Sequence, residues 1–261
     1  MNKKSGISEL IYYRELLNQL VLKDIKLKYR RSYLGYVWSI LNPLLMMIVL
    51  VIVFSNLFRF DIPNFAVYLL SGQVIFSFFT EATTMAVNSI ISNALLLKKT
   101  YVPKYIFTLS KVTSSLVNLL FSLIALVIVM IVTKNPVTWN ILLFPIVILQ
   151  VYVFSLGISL LLASTAVFFR DIQYLWGVFI SIWMYLTPVI YPVSIIEEKY
   201  RWWYENLNPM YGYVTQFREI VLNGNPLPTE WFIQGSLIAI MMLFIGLWVF
   251  KQKQDQFILY I

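Results

Sequence analysis

The sequence predicts an all-α integral membrane protein with six transmembrane helices, an N-terminal amphipathic helix at the membrane interface, and a re-entrant outer hairpin between helices five and six. Hydrophobic residues make up 60% of its 261 residues and charged residues only 12%, unlike the usual soluble balance. Six apolar runs reach the length that a helix needs to cross the hydrocarbon core, about 20 residues. Backbone groups in lipid must be hydrogen-bonded within the segment, so these runs predict helices.

The chain begins with a polar, basic segment, residues 1–35, for which we predict a cytoplasmic amphipathic helix lying in the inner membrane interface. The apolar stripe of this helix, at helical spacing, is formed by Leu10, Tyr13, Leu17, Leu20 and Val21. A helix that packs on a neighbouring domain is the alternative. No small-residue cleavage site follows the segment, so we expect the first apolar run to remain as a span.

The six spans are expected between residues 36 and 250, with a cytoplasmic tail at 251–261, so that residues 1–261 form one transmembrane domain. The apolar runs are residues 32–58, 66–91, 112–133, 135–169, 172–196 and 231–250. A short helix along the inner membrane surface is expected between spans two and three. The fifth run contains Pro188 and Pro192 near its outer end, which predicts a broken helix there.

The second span carries the only acidic residue that lies clearly inside a run, Glu81. It belongs to a row of polar residues on one helical face: Gln73, Ser77, Glu81, Thr84, Asn88 and Ser92. A carboxylate in the membrane is costly unless it is paired, protonated or wetted, so this face predicts a water-lined path or a helix seam. Lys111 on the next span is a candidate partner for Glu81.

The distribution of charge predicts that both termini are cytoplasmic. With that orientation, 15 of the 20 Lys and Arg residues lie in inner segments. The net charge of +8 is therefore an orientation signal rather than a sign of nucleic-acid binding. The absence of cysteine and histidine excludes disulfides, thiolate metal sites and the commonest general base.

Aromatic residues are concentrated in the segment that leads into and follows span five: 15 occur among the 59 residues from 174 to 232. Tyr and Trp anchor helices at the membrane interface, which accounts for part of this excess. Trp183 and Tyr185 lie well inside the span and need another explanation.

Five short motifs, in this order along nearly the whole chain, resemble the permease subunits of ABC type 2 exporters for lipid-linked polysaccharides such as O-antigen, teichoic acid and capsule. They are YRRSYLGYVWSILNP at 29–43, LKKTYVPK at 97–104, FFRDI at 168–172, TPVIYP at 187–192 and NPMYGYVTQFR at 208–218. The resemblance implies a homodimer in the bacterial cytoplasmic membrane, with two copies of a cytoplasmic ATP-binding subunit. None of the nine glycines begins a phosphate-binding loop, so ATP and magnesium would be held by that partner, and this chain would bind no cofactor.

The resemblance also implies where the chain couples to its partner and where its cargo passes. The coupling residues would be Leu97, Lys98, Lys99, Tyr101, Pro103, Lys104, Arg170 and Asp171. Sugar rings can stack on aromatic planes, so a path lined by aromatics could hold a sliding polymer. The candidate path residues are Phe76, Phe79, Glu81, Trp176, Phe179, Trp183 and Tyr185.

Three other functions remain open at this stage. The same architecture could export a small hydrophobic drug or lipid, although that cargo favours a smooth apolar cavity. An ion-coupled transporter is disfavoured because the sequence has no internal repeat and only one clearly buried acid. A membrane glycosyltransferase would need paired carboxylates, and the adjacent Glu197 and Glu198 lie in a polar outer loop.

Overall fold

The computed structural model describes residues 7–30, 32–57 and 62–261, and within these ranges the chain is helical with no β-strand. Its α-helices are α1 (Ile7–Tyr12), α2 (Arg14–Lys28), α3 (Trp38–Leu57), α4 (Phe65–Val87), α5 (Ala94–Lys99), α6 (Tyr105–Val132), α7 (Phe144–Ala166), α8 (Ile172–Leu186), α9 (Glu198–Leu207), α10 (Pro209–Val221), α11 (Thr229–Lys253) and α12 (Phe257–Tyr260). Phe58, the predicted end of the first run, and the side chain of Leu10 lie outside the described part.

Among the described residues, five helical segments are long and apolar enough to cross a membrane. They are Gly35–Phe54, Phe65–Val87, Tyr105–Val132, Trp139–Ala166 and Thr229–Tyr260. They coincide with five of the six predicted runs. The remaining apolar helix, α8, has 15 residues. At a rise of 1.5 Å per residue it is about 22 Å long, short of the roughly 30 Å hydrocarbon core.

The early end of α8 follows from Pro188. The residue before a proline is pushed out of the helical region by the proline ring, and Thr187 has an extended backbone with ψ 125°. The predicted fifth run continued to residue 196, but the helix stops at Leu186. The apolar residues after it form a short 3-10 turn at Val193–Ile195 instead.

The centre of the fold is α4, which contacts α3, α6, α7, α8 and α10. Its apolar side chains supply much of the main hydrophobic core, together with residues of α6, α7 and α10. Phe79 of α4 is completely buried and packs against Phe154 of α7, with ring centroids 5.6 Å apart. Because neighbours surround α4 on most sides, only one narrow face of this helix remains accessible.

Helices α7 and α11 pack against each other, and their backbones approach closely at two glycines. A Cβ placed on Gly246 would lie 2.2 Å from the carbonyl oxygen of Gly157, and one on Gly157 would lie 2.4 Å from the backbone of Met242. Small residues let helix backbones approach this closely. Near the other end of the crossing, Gln150 donates hydrogen bonds to Phe232 O (3.0 Å) and Ser236 Oγ (2.7 Å).

A second, smaller core lies at the end of the bundle that carries α5. It collects apolar residues from α2, α5, the start of α6, the end of α7, the end of α11 and α12: Leu20, Ile90, Leu97, Ile106, Phe107, Leu160, Ala163, Val167, Phe250 and Phe257. Phe257 is completely buried and contacts Phe250 edge to face. The C-terminal tail is therefore an integral part of this end of the molecule.

The predicted N-terminal helix is present as α1 and α2, and protein covers much of its apolar stripe. Leu20 and Val21 are buried, and Leu20, Tyr13 and Leu17 pack in the second core. In this structure the helix packs against α6 of the chain's own bundle.

Arg218 anchors the segment that follows α8. This buried side chain donates hydrogen bonds to Tyr68 O (3.1 and 3.2 Å), Pro188 O (2.7 Å) and Val189 O (2.9 Å). Its guanidinium carbon lies 3.5 Å from the centroid of the Tyr68 ring. The Tyr68 hydroxyl in turn donates to Tyr191 O (2.9 Å). The broken end of α8 is therefore fixed to α4 and α10.

Candidate translocation surface

The accessible face of α4 is the polar row that the sequence predicts. Ser77, Thr84 and Asn88 are exposed, and Gln73 and Glu81 are partly exposed, whereas the apolar positions between them are mostly buried. Lipid is a poor neighbour for such a face, since unpaired polar groups in hydrocarbon are costly. The face is suited to contact water, a polar ligand or another protein surface.

Glu81 is held by two neighbours from different parts of the chain. One oxygen, Oε1, accepts hydrogen bonds from Lys28 Nζ and from Asn118 Nδ2, each at 2.7 Å. The prediction that Lys111 is its partner is wrong, because Lys111 Nζ pairs with Asp24 at 2.7 Å. Lys28 ends α2, so a helix outside the spans supplies the counter-charge.

Glu81 lies six residues before Val87, the last residue of α4. At 1.5 Å per residue this is about 9 Å from the helix end, so the carboxylate lies in the third of the span nearest α5 rather than at its middle. Asn118 also accepts a hydrogen bond at 3.5 Å from the hydroxyl of Tyr29, which contacts the Ser39 hydroxyl as well. The result is a polar cluster connecting α2, α3, α4 and α6.

Next to this face, α8 carries an open groove with a volume of about 560 Å³. The groove is lined by Gln173, Tyr174, Gly177, Val178, Ser181, Ile182 and Tyr185. Asn88, the residue that follows α4, donates from Nδ2 to Gln173 Oε1 at 3.2 Å, so the polar row and one end of the groove meet directly. Together they form a surface with hydroxyl and amide groups on one side and aromatic and aliphatic side chains on the other.

The predicted aromatic path residues separate into two groups. Phe76 and Phe79 are buried in the main core, and Trp176 and Trp183 pack against it. Trp176 Nε1 donates to Thr83 Oγ1 at 3.1 Å, and Trp183 Nε1 donates to Asn208 Oδ1 at 2.7 Å. The two Phe rings are therefore behind the accessible surface, while the two Trp rings are partly exposed and pack edge to face on Phe79 of α4.

The other two predicted aromatics reach the surface. Phe179 is 50% exposed and stacks on Trp176, with ring centroids 5.3 Å apart and ring planes inclined by 27°. Tyr185 is 72% exposed and lines the groove of α8. With Glu81, these are the predicted path residues that a ligand at this surface could touch.

The predicted coupling residues gather at the α5 end of the bundle. Leu97 is buried in the second core, which also contains Phe168 just before Arg170 and Asp171. Lys99, Tyr101, Arg170 and Asp171 are exposed, and Pro103 is half-buried. The structure therefore brings the 97–104 segment and the α7–α8 turn to the same end of the molecule.

Two of the predicted coupling lysines already have partners in the C-terminal tail. Lys98 Nζ donates to Ile261 O at 2.5 Å, and Lys104 Nζ donates to Gln254 O. Partial burial lowers the pKa of Lys104, an effect that nearby Asp255 opposes. The side chains of Lys99 and Tyr101 are exposed, as is that of Leu95.

Sequence reasoning missed several residues that shape this surface: Lys28, Asp24, Asn118, Asn208 and Arg218. The signal for Arg218 was available, since a cation amid the apolar and aromatic residues of α10 needs partners. Asn208 was also recognisable, because Asn before Pro is a common N-cap, and its side chain accepts from Met210 N (3.1 Å) and Tyr211 N (3.4 Å). The partners of Glu81 lie 53 and 37 residues away, beyond any local pattern.

Comparison with known proteins gives a consistent result over nearly the whole chain. The profile of the ABC-2 type transporter family matches residues 15–222. The chain is 31% identical over 252 residues to the O-antigen export system permease protein RfbA of Myxococcus xanthus, covering 96% of this chain and 97% of that protein. It is 29% identical over 250 residues to the RfbA of Klebsiella pneumoniae, covering 94% and 95%. It is 23% identical over 252 residues to the polysialic acid transport protein KpsM of Escherichia coli, covering 90% and 92%.

Proposed function

Because this chain belongs to the ABC-2 type transporter family, we propose that it is the membrane-spanning permease subunit of an ATP-driven exporter for a lipid-linked polysaccharide. The carrying observation is similarity along nearly the full length to permeases whose names specify O-antigen export, together with similarity to a polysialic acid transport protein. The chain is a multi-pass membrane protein of the bacterial inner membrane. Export of a small drug or lipid has no comparable support.

The polymer would pass along the polar row of α4 and the groove of α8. Hydroxyl and amide groups on α4 can exchange hydrogen bonds with sugar hydroxyls, and Tyr174 and Tyr185 can stack against ring faces. Many weak contacts suit a chain that must slide. Glu81, Phe179 and Tyr185 would touch the polymer, while Phe76, Phe79, Trp176 and Trp183 would support the wall from behind.

The surface of one subunit is open on one side. We therefore propose a homodimer in which two copies enclose the path between them. Supporting this, the only described side chains of α3 that are buried are Ser39 and Met47, and α8 exposes Leu175, Val178 and Ile182, which leaves apolar faces for a second copy and for lipid. In the dimer α8 would serve as a sixth, short span, completed by the segment up to residue 196. The α9–α10 pair would form the outer re-entrant hairpin, since α10 is buried against α4, α7 and α11.

The α5 end would face the cytoplasm, together with both termini, and would receive two ATP-binding subunits. Lys99, Tyr101, Arg170 and Asp171 would contact them, and ATP and magnesium would be bound there rather than by this chain. Polysaccharides such as O-antigen, teichoic acid or capsule are the cargo class. This orientation is the one that places most Lys and Arg residues inside.

Deletion of the gene in its own bacterium tests the function. We expect surface polysaccharide to be lost and the lipid-linked polymer to accumulate on the cytoplasmic side, with both effects reversed by a plasmid copy. Unchanged surface polysaccharide, together with greater sensitivity to small toxic compounds, would instead assign the drug-export function.

A further inference from the structure

A second cavity, of about 610 Å³, opens at the end of the molecule opposite α5. It is lined by Tyr185, Tyr191, Ile195, Ile196, Glu197, Tyr200, Trp203 and Tyr204. These residues come from the last turn of α8, the segment of residues 187–197 that follows it, and α9. Five of the eight are Tyr or Trp, and Glu197 is the only charged group. We call this cavity the outer aromatic pocket.

We propose that the outer aromatic pocket binds sugar units of the exported polymer as they leave the membrane. The proposal rests on the proposed function, which supplies the polymer, but it adds a binding site outside the path itself. The Tyr and Trp rings would stack against the C–H faces of sugar rings. The Glu197 carboxylate would accept hydrogen bonds from sugar hydroxyls, and charge-assisted hydrogen bonds of this kind are among the stronger ones.

The size and lining of the pocket favour a sugar over a lipid. Its volume lies within the range of ordinary small-ligand sites, about 300–1,000 Å³. The Glu197 carboxylate accepts hydrogen bonds from neutral hydroxyls and disfavours a phosphate beside it. Trp203 is 58% exposed, so its ring is open to a ligand, and Tyr200 is 49% exposed with Lys199 Nζ 5.4 Å from the centroid of its ring.

The pocket adjoins the groove along α8 at Tyr185, which lines both cavities. From Gln173 to Tyr185 the helix rises about 18 Å at 1.5 Å per residue. A polymer that follows the groove would therefore reach the pocket directly at its far end.

The inner wall of the pocket is held in place before any ligand arrives. The Tyr191 hydroxyl donates to Tyr185 O at 2.7 Å, and Tyr191 O accepts from Tyr68 at 2.9 Å. Arg218 fixes Pro188 and Val189 just before this segment. A preorganised wall reduces the ordering cost of binding, which matters where each contact is weak.

The test compares two exposed tryptophans. Trp203, 58% exposed, lines the pocket, whereas Trp139, 88% exposed and lying between α6 and α7, does not. The permease in complex with its ATP-binding subunit is placed in lipid nanodiscs. Short, lipid-free oligosaccharides released from the bacterium's own surface polysaccharide are titrated, and the Kd is measured by saturation-transfer NMR.

We expect Trp203→Leu to weaken binding about tenfold, since stacking and pocket area are lost. Trp203→Phe should retain most of the affinity, and Trp139→Leu should bind like the wild type. Glu197→Gln, which preserves shape, should weaken binding because an amide is the poorer acceptor. Complex assembly and ATP hydrolysis are measured for each variant, so that misfolding is recognised.

Three results would overturn the proposal: no binding by the wild type, equal affinity in all variants, or a phospholipid that co-purifies with the wild type but not with Trp203→Leu while oligosaccharide binding stays the same. The gene deletion separates this proposal from the proposed function. If deletion abolishes surface polysaccharide but Trp203→Leu binds normally, the function stands and the pocket proposal fails.

Discussion

At the scale of single residues, Glu81 connects the N-terminal helix α2 to the proposed path. The ion pairs found in the described part of the chain are Lys28–Glu81 and Lys111–Asp24, and both join α2 or its last residue to a membrane helix. Lys28 is 41% exposed at its side chain, so the Coulombic part of its pair with Glu81 is weakened by water. The larger consequence of losing Glu81 concerns Asn118, which is buried and would keep an unsatisfied amide.

We therefore predict that Glu81→Leu lowers the free energy of unfolding by about 1–3 kcal/mol, the cost of leaving a buried donor unpaired. Glu81→Gln should be milder, because its amide oxygen can still accept from Asn118 and Lys28. Thermal unfolding of the assembled complex and surface polysaccharide are the measurements.

The charge-swapped pair Glu81→Lys with Lys28→Glu provides the control. It should be more stable than Glu81→Lys alone, because it restores opposite charges at the same place. If Glu81→Leu unfolds at the wild-type temperature and exports normally, the cluster contributes neither stability nor a path.

At the scale of elements, the crossing of α7 and α11 depends on the absence of side chains at two positions. A Cβ at Gly157 or Gly246 would meet backbone atoms within 2.6 Å, and backbone cannot rotate away as a side chain can. Overpacking of this kind costs about 1–3 kcal/mol or more. The two helices would have to separate along their whole contact, including the hydrogen bonds of Gln150.

We predict that Gly246→Val strongly reduces the amount of folded protein in the membrane, or lowers its melting temperature. Gly177→Ala is the matched control for stability, since a Cβ there meets nothing within 4 Å and Ala favours the helix. Size-exclusion profiles and thermal unfolding in detergent give the comparison. Equal behaviour of the two variants would mean that the helices tolerate a wider separation.

The helices themselves were largely predictable, because a membrane span is a property of a continuous stretch of sequence. Five of the six runs became long helices, and the break after span five was foreseen from Pro188 and Pro192. The extent of that break was not foreseen: apolar residues up to 196 were counted into the span. Hydropathy cannot distinguish an apolar helix from an apolar turn that protein covers, as here with Val189.

The candidate site was predicted less completely. Helical spacing was enough to place the polar row on one face of α4, because neighbours three and four apart share a face. It could not tell which aromatics of α8 turn toward the core, since that depends on the rotation of the helix. As a result Trp183 and Tyr185, two residues apart in sequence, have opposite surroundings.

At the scale of the whole molecule, the second core joins the N-terminal helix, α5 and the C-terminal tail into one unit. Motion of a partner docked on α5 would therefore reach α2 and, through Lys28, the carboxylate of Glu81. Among the coupling lysines, Lys98 and Lys104 are occupied by the tail, so Lys99 is the one best placed to contact a partner.

We predict that Lys99→Glu reduces the coupling between ATP hydrolysis by the partner subunit and polymer export, through repulsion or misdocking at α5. Lys98→Glu should also loosen the tail, which limited proteolysis would detect. Lys199→Glu, an exposed lysine on α9, is the matched control and should leave hydrolysis by the complex unchanged. Full coupling in the Lys99→Glu complex would remove α5 from the contact surface.

Arg218 holds the segment that follows α8 through the main-chain oxygens of Pro188 and Val189. A carbonyl oxygen is present whatever side chain its residue carries. These hydrogen bonds therefore do not depend on the side chains of Pro188 and Val189. The side chains that follow Val189, including those that line the outer aromatic pocket, can therefore be substituted one at a time while Arg218 keeps the backbone in place. Substitutions in this pocket would change which sugar is bound, while the backbone at this end of the molecule keeps the same shape.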